Sequence, residues 1–429
     1  MFPATRTELA GVSLREIARR FGTPTYVYDA AVIERKIDDL KMFDVVRFAQ
    51  KACSNIAILD LMRRKGVLVD AVSAGEIHRA LAAGFQPHAA GDSHPIVYTA
   101  DIFDRDALAM VLKHDIHVNC GSPDMLEQYG SRKPGANVTL RINPGFGHGH
   151  SQKTNTGGEQ SKHGIWHEQL DDCLRIADRH GLSVTGLHLH IGSGTDLEHL
   201  SQVCGAMEKL AGDVGRTLTT ISAGGGLPTI YKAGDTYVDT SVYFSLWDAS
   251  RKRLEEKFGH KLTLEIEPGR YLVAESGYLV AEIRAIKQMG KNTFYLLDAG
   301  FNNLARPILY GSHHPMSIVP GPLDAVDASV DASSPRPQVE AVVGGPLCES
   351  GDIFTQAEGG FVTTRKLPTA QVGELLVLEC AGAYGFAMGS NYNSKPLAAE
   401  VLLKNGQAHL IRARQTPEDL TRGEVVPSI

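Results

Sequence analysis

The sequence predicts an α/β chain: an N-terminal (β/α)8 barrel of the TIM type followed by a C-terminal β-barrel or sandwich domain. Three observations carry that expectation. Between about residue 45 and about residue 270, short β-branched runs alternate with stretches of helical periodicity. The chemically unusual residues of this region collect at the C-terminal ends of the runs. Beyond about residue 272 the helical pattern gives way to strand-like runs joined by turns.

The elements follow in order. The first twenty residues, MFPATRTELAGVSLREIARR, read as an amphipathic, helix-like stretch with no apolar signal core. The strand candidates are VVRFAQKA, VLVDAVSA, PIVYTA, IHVNCGS, NVTLRINPG, VTGLHLHIGS, LTTISAGGG and LTLEIEPG. Segments such as SAGEIHRALAAG and HLSQVCGAMEKLAGDVG fill the gaps with helical spacing. Roughly eight strand–helix units in roughly 230 residues is the signature of the barrel; an open doubly wound sheet shares the alternation. Loading the ends of strand after strand with Lys51, Asp70, Arg141, His190, Gly224 to Gly226, Glu267 and Arg270 favours the barrel, whose strand ends converge on one mouth. The later runs YLVAEIRAIKQMG, NTFYLLDAGF, QVEAVVGGPLCESGDIF, LLVLECAGAYG and AAEVLLKNGQAHLIRAR make the second domain, and VDASVDASSPRPQ is a polar loop. The expected boundaries are 31–272 for the barrel and 273–429 for the β-domain, with residues 1–30 packing on the latter.

At 429 residues, two domains are the default. Hydrophobic residues at 43% and charged residues at 21% are the balance of a soluble protein. The net charge of −6, without a long basic run, argues against nucleic acid or an anionic membrane as partner. The 6 cysteines are scattered and form no CxxC pair, so neither a disulfide framework nor a zinc knuckle is expected. No apolar run is long enough to span a bilayer, and the expected location is the cytoplasm.

Lys51 lies in FAQKACSN, within an apolar strand run. A desolvated lysine has a depressed pKa and becomes a usable nucleophile, although a lone lysine at a strand end more often reaches solvent. Gly224, Gly225 and Gly226 in SAGGGL let backbone N–H groups approach an anion such as a phosphate; the alternative is a tight turn. Ser193 in HIGSG adds a hydroxyl for the same anion. Glu267 in LEIEPGR suits a protonated pyridine nitrogen, which turns a cofactor ring into an electron sink, or else pairs structurally with Arg270. His188 and His190 alternate along GLHLHIGS and face one side of the strand. A metal site there lacks a third ligand, and a ring stacked on a flat cofactor fits better, so no metal is expected. His148 and His150 read as solvent-exposed residues of a Gly-rich loop over the site. Cys348 and Glu349 in CESGD sit in a turn-like polar setting where a thiol can serve as an acid. Arg306 and Tyr310 in FNNLARPILYG are one helical turn apart, and arginine grips a carboxylate through two points.

Taken together, FAQKACSN, SAGE, NPGFGHGHSQKTNTGGEQSKHGIW, HLHIGSG, ISAGGGL, EIEPGR, YLLDAGFNNLARP, GPLCESGD, GAYGFAMGSNYNSKP and RARQT resemble the fold-type III decarboxylases that use pyridoxal 5′-phosphate (PLP), and among them the bacterial diaminopimelate decarboxylase family. The resemblance runs through almost the whole chain. It implies decarboxylation of meso-2,6-diaminopimelate to L-lysine and CO2, the last step of lysine biosynthesis. Lys51 is then the Schiff-base lysine and His190 stacks on the ring. Ser193 and the Gly224–Gly226 backbone hold the phosphate with Tyr384, Glu267 meets the pyridine nitrogen, and Asp70, Gly269 and Arg270 line the cofactor. Arg270, Arg306, Tyr310 and Tyr384 take the substrate. In a homodimer with shared sites, Cys348 and Glu349 reach in from the partner subunit, Cys348 as proton donor, with Lys51 as the alternative donor, and Glu349 toward the distal ammonium. One departure is Cys53, where many relatives carry Asn two residues after the lysine. The competing readings are a decarboxylase of ornithine, arginine or a carboxylated polyamine, an amino-acid racemase on the same plan, and a non-catalytic homologue.

Overall fold

The computed structural model describes residues 2–87, 94–147, 157–190, 197–324 and 336–429. Contacts divide the chain into two compact units: one holds residues up to Ile33, Ile230–Asp235 and Val273–Ile429, and the other holds Glu34–Thr229 and Thr236–Leu272.

The second of these units is a closed barrel of parallel strands. Val45–Ala49, Leu68–Ala71, Ile96–Ala100, His117–Cys120, Asn137–Asn143, Ser183–Leu189, Thr220–Ser222 and Thr263–Ile266 pair in succession, and the ring closes between Asn137–Asn143 and Ser183–Leu189 and between Thr263–Ile266 and Val45–Ala49. Each matches one of the runs read from the sequence. Strands are followed by helices because the turns carry capping chemistry: Asn55, Ser73, Asp104, Ser122 and Asp239 accept from N–H groups of the first helical turn. The helices Leu170–His180 and Thr240–Phe258 end on Gly181 and Gly259 in the left-handed conformation that glycine adopts without penalty.

The other unit is a mostly antiparallel sheet. Its strands run in the order Arg365–Pro368, Gln338–Gly344, Asn292–Leu297, Gly277–Met289, Thr25–Asp29, Ala399–Lys404 and Gln407–Arg412. Leu375–Leu378 pairs with the first half of Gly277–Met289 and carries Met316–Val319 on its other side. A register shift between Ile283 and Ala285 lets one long strand serve both parts of the sheet. The N-terminal stretch differs from expectation. Only Leu14–Phe21 is α-helical, capped by Ser13, and a short antiparallel pair precedes it. Leu14, Ile17 and Ala18 of that helix pack with Val27, Val280, Val377 and Val401 in one apolar core.

Candidate active site

Both units carry groups suited to chemistry, and the barrel mouth carries the denser set. Lys51 follows the strand Val45–Ala49 in a single 3-10 turn, Gln50–Ala52. It is not inside a strand as expected, and its side chain is exposed rather than buried. The reason is local: the strand ends at Ala49, whose N–H donates to the Pro268 carbonyl, and the chain then turns. A Cβ on Gly269 would sit 3.1 Å from the Ala49 carbonyl, so glycine there permits the close approach of the EPGR turn to the lysine segment. Lys51 lies near enough to bias the charge of Asp70, Glu76 and His190.

Glu267, one residue past the strand Thr263–Ile266, is 7% exposed and has both oxygens engaged. Ser222 Oγ donates to Oε1 at 3.1 Å, and His188 Nε2 lies 3.1 Å from Oε2. Burial alone would raise its pKa. The His188 ring, the Arg47 guanidinium and the Ser222 hydroxyl outweigh that and hold it at about 2. Asp70 goes the other way: burial and the nearby Glu267 charge push it well above the usual carboxylate range, against the pull of Thr99 and Lys51. The pKa values of two neighbouring carboxylates are thus driven apart, that of Glu267 downward and that of Asp70 upward.

Gly225 N–H donates to His190 Nδ1 at 2.8 Å. A ring nitrogen that accepts from an amide carries no proton, so His190 is neutral with its proton on Nε2. Burial first, then Arg141 and Lys51, hold its pKa well below that of a free imidazole. The glycine run therefore works differently from the expectation. Gly224 N–H is taken by Ser222 Oγ and Gly225 N–H by His190, which leaves Gly226 as the one of the three with no partner among the described residues. Gly224 and Gly225 serve by lacking a Cβ: one would fall 2.3 Å from the Leu189 carbonyl, the other 2.5 Å from the Glu267 carbonyl. Gly224 at φ +61° and Gly226 at φ +98° also need the left-handed region.

Some buried polar atoms near these strand ends have no hydrogen-bond partner among the described residues. Asp70 Oδ1, both ends of the Gln50 amide and His188 Nδ1 are in that state. These orphans, an ionised carboxylate, a neutral histidine and an accessible lysine fit a cofactor with an aldehyde, a protonatable ring nitrogen and a flat face. Ser193, His148 and His150 lie outside the described residues. Arg270 opens the short helix Arg270–Val273 and is half-buried.

The sheet unit holds the remaining candidates. Arg306 starts the helix Arg306–Tyr310 and is 5% exposed, while Tyr310 at its end is half-buried. Cys348 and Glu349 are exposed in the turn after the strand Gln338–Gly344. Sequence reading missed the residues that hold them. Asp352 accepts from Phe301 N–H at 2.7 Å and Leu347 N–H at 2.8 Å, tying the CESGD turn to the segment that leads into Arg306. A Cβ on Gly345 would fall 2.3 Å from that carboxylate. Asn393, at φ 53°, accepts from Cys348 N–H at 2.7 Å. The signal for Asp352 was its place in CESGD; for Asn393 it was the YNS turn, where asparagine tolerates a left-handed backbone. Tyr384 is also left-handed, at φ 56°, beside Gly385, whose Cβ would meet the Ala381 carbonyl at 2.3 Å.

Residues 30–274 match the family model for the pyridoxal binding domain of pyridoxal-dependent decarboxylases. The chain is 55% identical over 425 residues to a diaminopimelate decarboxylase of Escherichia coli K12, covering 99% of each. The chain belongs to the diaminopimelate decarboxylase family. A crystal structure of a diaminopimelate decarboxylase at 55% identity superimposes with a TM-score of 0.90, covering 95% of each chain. The Helicobacter pylori diaminopimelate decarboxylase, solved in complex with L-lysine, is 29% identical with a TM-score of 0.81, covering 95% of this chain and 98% of that one. With this membership the competing readings as a racemase or a decarboxylase of another basic amino acid fall behind. Among the described residues no helix is long and apolar enough to cross a membrane.

Proposed function

We propose that this family member uses PLP to decarboxylate meso-2,6-diaminopimelate to L-lysine and CO2. The observation that carries the substrate class is Arg306. It is a buried cation with no carboxylate within ion-pair distance among the described residues. A buried guanidinium without an anion is costly, and a substrate with a second carboxylate supplies one; ornithine or arginine, whose far ends are cationic, would add to the cost.

Lys51 is the amine that would hold the cofactor, Glu267 the carboxylate for its ring nitrogen, and neutral His190 the ring against its face. Gly226, Ser193 and Tyr384 are assigned to the phosphate, with Asp70, Gly224, Gly225, Gly269 and Arg270 shaping the surroundings. When bound, PLP supplies an electron sink for the pair left as CO2 departs. Keeping Glu267 ionised is the work of His188, Ser222 and Arg47. Arg270, Arg306, Tyr310, Tyr384 and Glu349 would bind and orient the substrate, and the Cys348 thiol would return a proton to the α-carbon. We further read the enzyme as a cytoplasmic homodimer. Support comes from the exposure of Cys348 and Glu349, which suits groups acting on a partner subunit's substrate; sedimentation at micromolar concentration tests it.

The experiment is CO2 release with PLP present, comparing meso-diaminopimelate with ornithine, arginine and lysine. Preference for diaminopimelate is expected. Preference for any of the others overturns the substrate, and turnover undiminished in Lys51→Ala overturns the assignment of the lysine.

A further inference from the structure

The segment Ile230–Asp235 lies in the chain between two barrel elements, yet it belongs with the sheet unit. There Tyr231 places its ring under Arg306, with the guanidinium carbon 4.8 Å from the ring centroid. On another side, Arg306 Nη1 donates to His314 Nε2 at 3.0 Å. An arginine always donates, so His314 Nε2 must accept. The remaining ring proton is then on Nδ1, which donates to the Glu379 carbonyl at 3.0 Å. Next along the chain, the Cys380 thiol donates to the Ile230 carbonyl at 3.6 Å, so Glu379 and Cys380 together anchor both His314 and the Tyr231 segment. His314 is 1% exposed, and its ring meets that of Tyr231 edge-on at 5.6 Å between centroids.

We infer that Tyr231 and His314 are positioning residues that fix the Arg306 guanidinium for the substrate's distal carboxylate and so set specificity for a dicarboxylate. Both partners are neutral. They orient the cation through its face and one edge without supplying a negative charge, which leaves the charge for the ligand. A carboxylate in place of His314 would hold Arg306 as firmly and remove its need for an anion. The inference rests on the assignment of Arg306 to the distal carboxylate.

The test uses the PLP-loaded enzyme and the variants His314→Leu, Tyr231→Phe, Tyr231→Leu and Arg306→Lys, with L-lysine and cadaverine as competitive inhibitors. L-Lysine keeps the distal carboxylate and cadaverine has none. For His314→Leu and Tyr231→Leu, KM for meso-diaminopimelate and the L-lysine inhibition constant each rise about tenfold. In both variants kcat stays within about twofold and cadaverine inhibition is unchanged. Tyr231→Phe keeps the ring face and matches the wild type. A fall in kcat at unchanged KM, parallel shifts for L-lysine and cadaverine, or a Tyr231→Phe variant as weak as Tyr231→Leu overturns the inference. If Arg306→Lys leaves KM and L-lysine inhibition unaltered, the fault lies with the assignment of Arg306 itself.

Discussion

The Gly225 N–H donates to His190 Nδ1 at 2.8 Å, joining the triple-glycine turn to the histidine of the neighbouring strand end. That one bond fixes the tautomer of the ring proposed to face the cofactor. A side chain at residue 225 would fall 2.5 Å from the Glu267 carbonyl and 3.1 Å from His190 Cε1. Gly225→Ala is therefore expected to destabilise the protein by about 2–3 kcal/mol and to abolish the visible absorbance of the PLP-loaded enzyme. Retention of that band at wild-type intensity would show that the turn tolerates a methyl group.

Burial and the nearby charge of Glu267 raise the pKa of Asp70 well above the usual carboxylate range. Its folded pKa lies above the unfolded value, so the folded state binds its proton more tightly, and stability falls as pH rises from the unfolded pKa toward the folded one. At pH 7 the residue costs stability. Asp70→Asn is expected to raise the free energy of urea unfolding of PLP-free protein at pH 7 by about 1 kcal/mol, with the gain vanishing below about pH 4. A less stable variant at pH 7 would contradict this.

Glu267 has the opposite sign. With its pKa lowered to about 2, its stabilisation is complete above the unfolded value and is lost as pH falls toward the folded one. Glu267→Gln is expected to cost about 3 kcal/mol at pH 7, the cost of leaving a buried pair half-made. Unfolding at pH 7, 5 and 3.5 should show the gap to wild type closing below about pH 4.5. A constant gap across that range would mean the charge of Glu267 is not what stabilises it.

Cys348 is exposed, so its truncation should leave the fold intact. Cys348→Ala is expected to change stability by less than about 0.5 kcal/mol while lowering kcat about a hundredfold. Asn393→Gly keeps the left-handed backbone but removes the oxygen that accepts from Cys348 N–H. Its kcat should fall about tenfold with little loss of stability. Unchanged turnover in Cys348→Ala would remove the thiol from the reaction.

The barrel was legible because its strands are short β-branched runs bounded by Gly, Pro and capping residues. Their C-terminal ends gave Lys51, Asp70, His190 and Glu267. In the sheet unit, Met316–Val319 and Arg365–Pro368 were not read, since four residues without alternation look like loop. What the glycines do was left open between an anion cradle and a tight turn for a different reason. The sequence shows that N–H groups are available at Gly224 and Gly225 but not that Ser222 and His190 accept from them. His188 was seen on the right face of its strand, yet its partner Glu267 is far along the chain. Tyr231, His314, Asp352 and Asn393 were invisible as a set, because each acts by holding a residue distant in sequence.

The strand Thr25–Asp29 lies between Gly277–Met289 and Ala399–Lys404 in the finished sheet. It precedes every barrel strand in the chain, while both of its neighbours follow them. Until those neighbours are made, this buried strand has hydrogen-bonding edges with nothing to fill them. The barrel strands are complete before Gly277–Met289 begins, but the sheet can close around Thr25–Asp29 only once Ala399–Lys404 has been made. That delay makes Thr25–Asp29 the natural place for a chaperone to be needed, and loss of Ala399–Lys404 a route to aggregation.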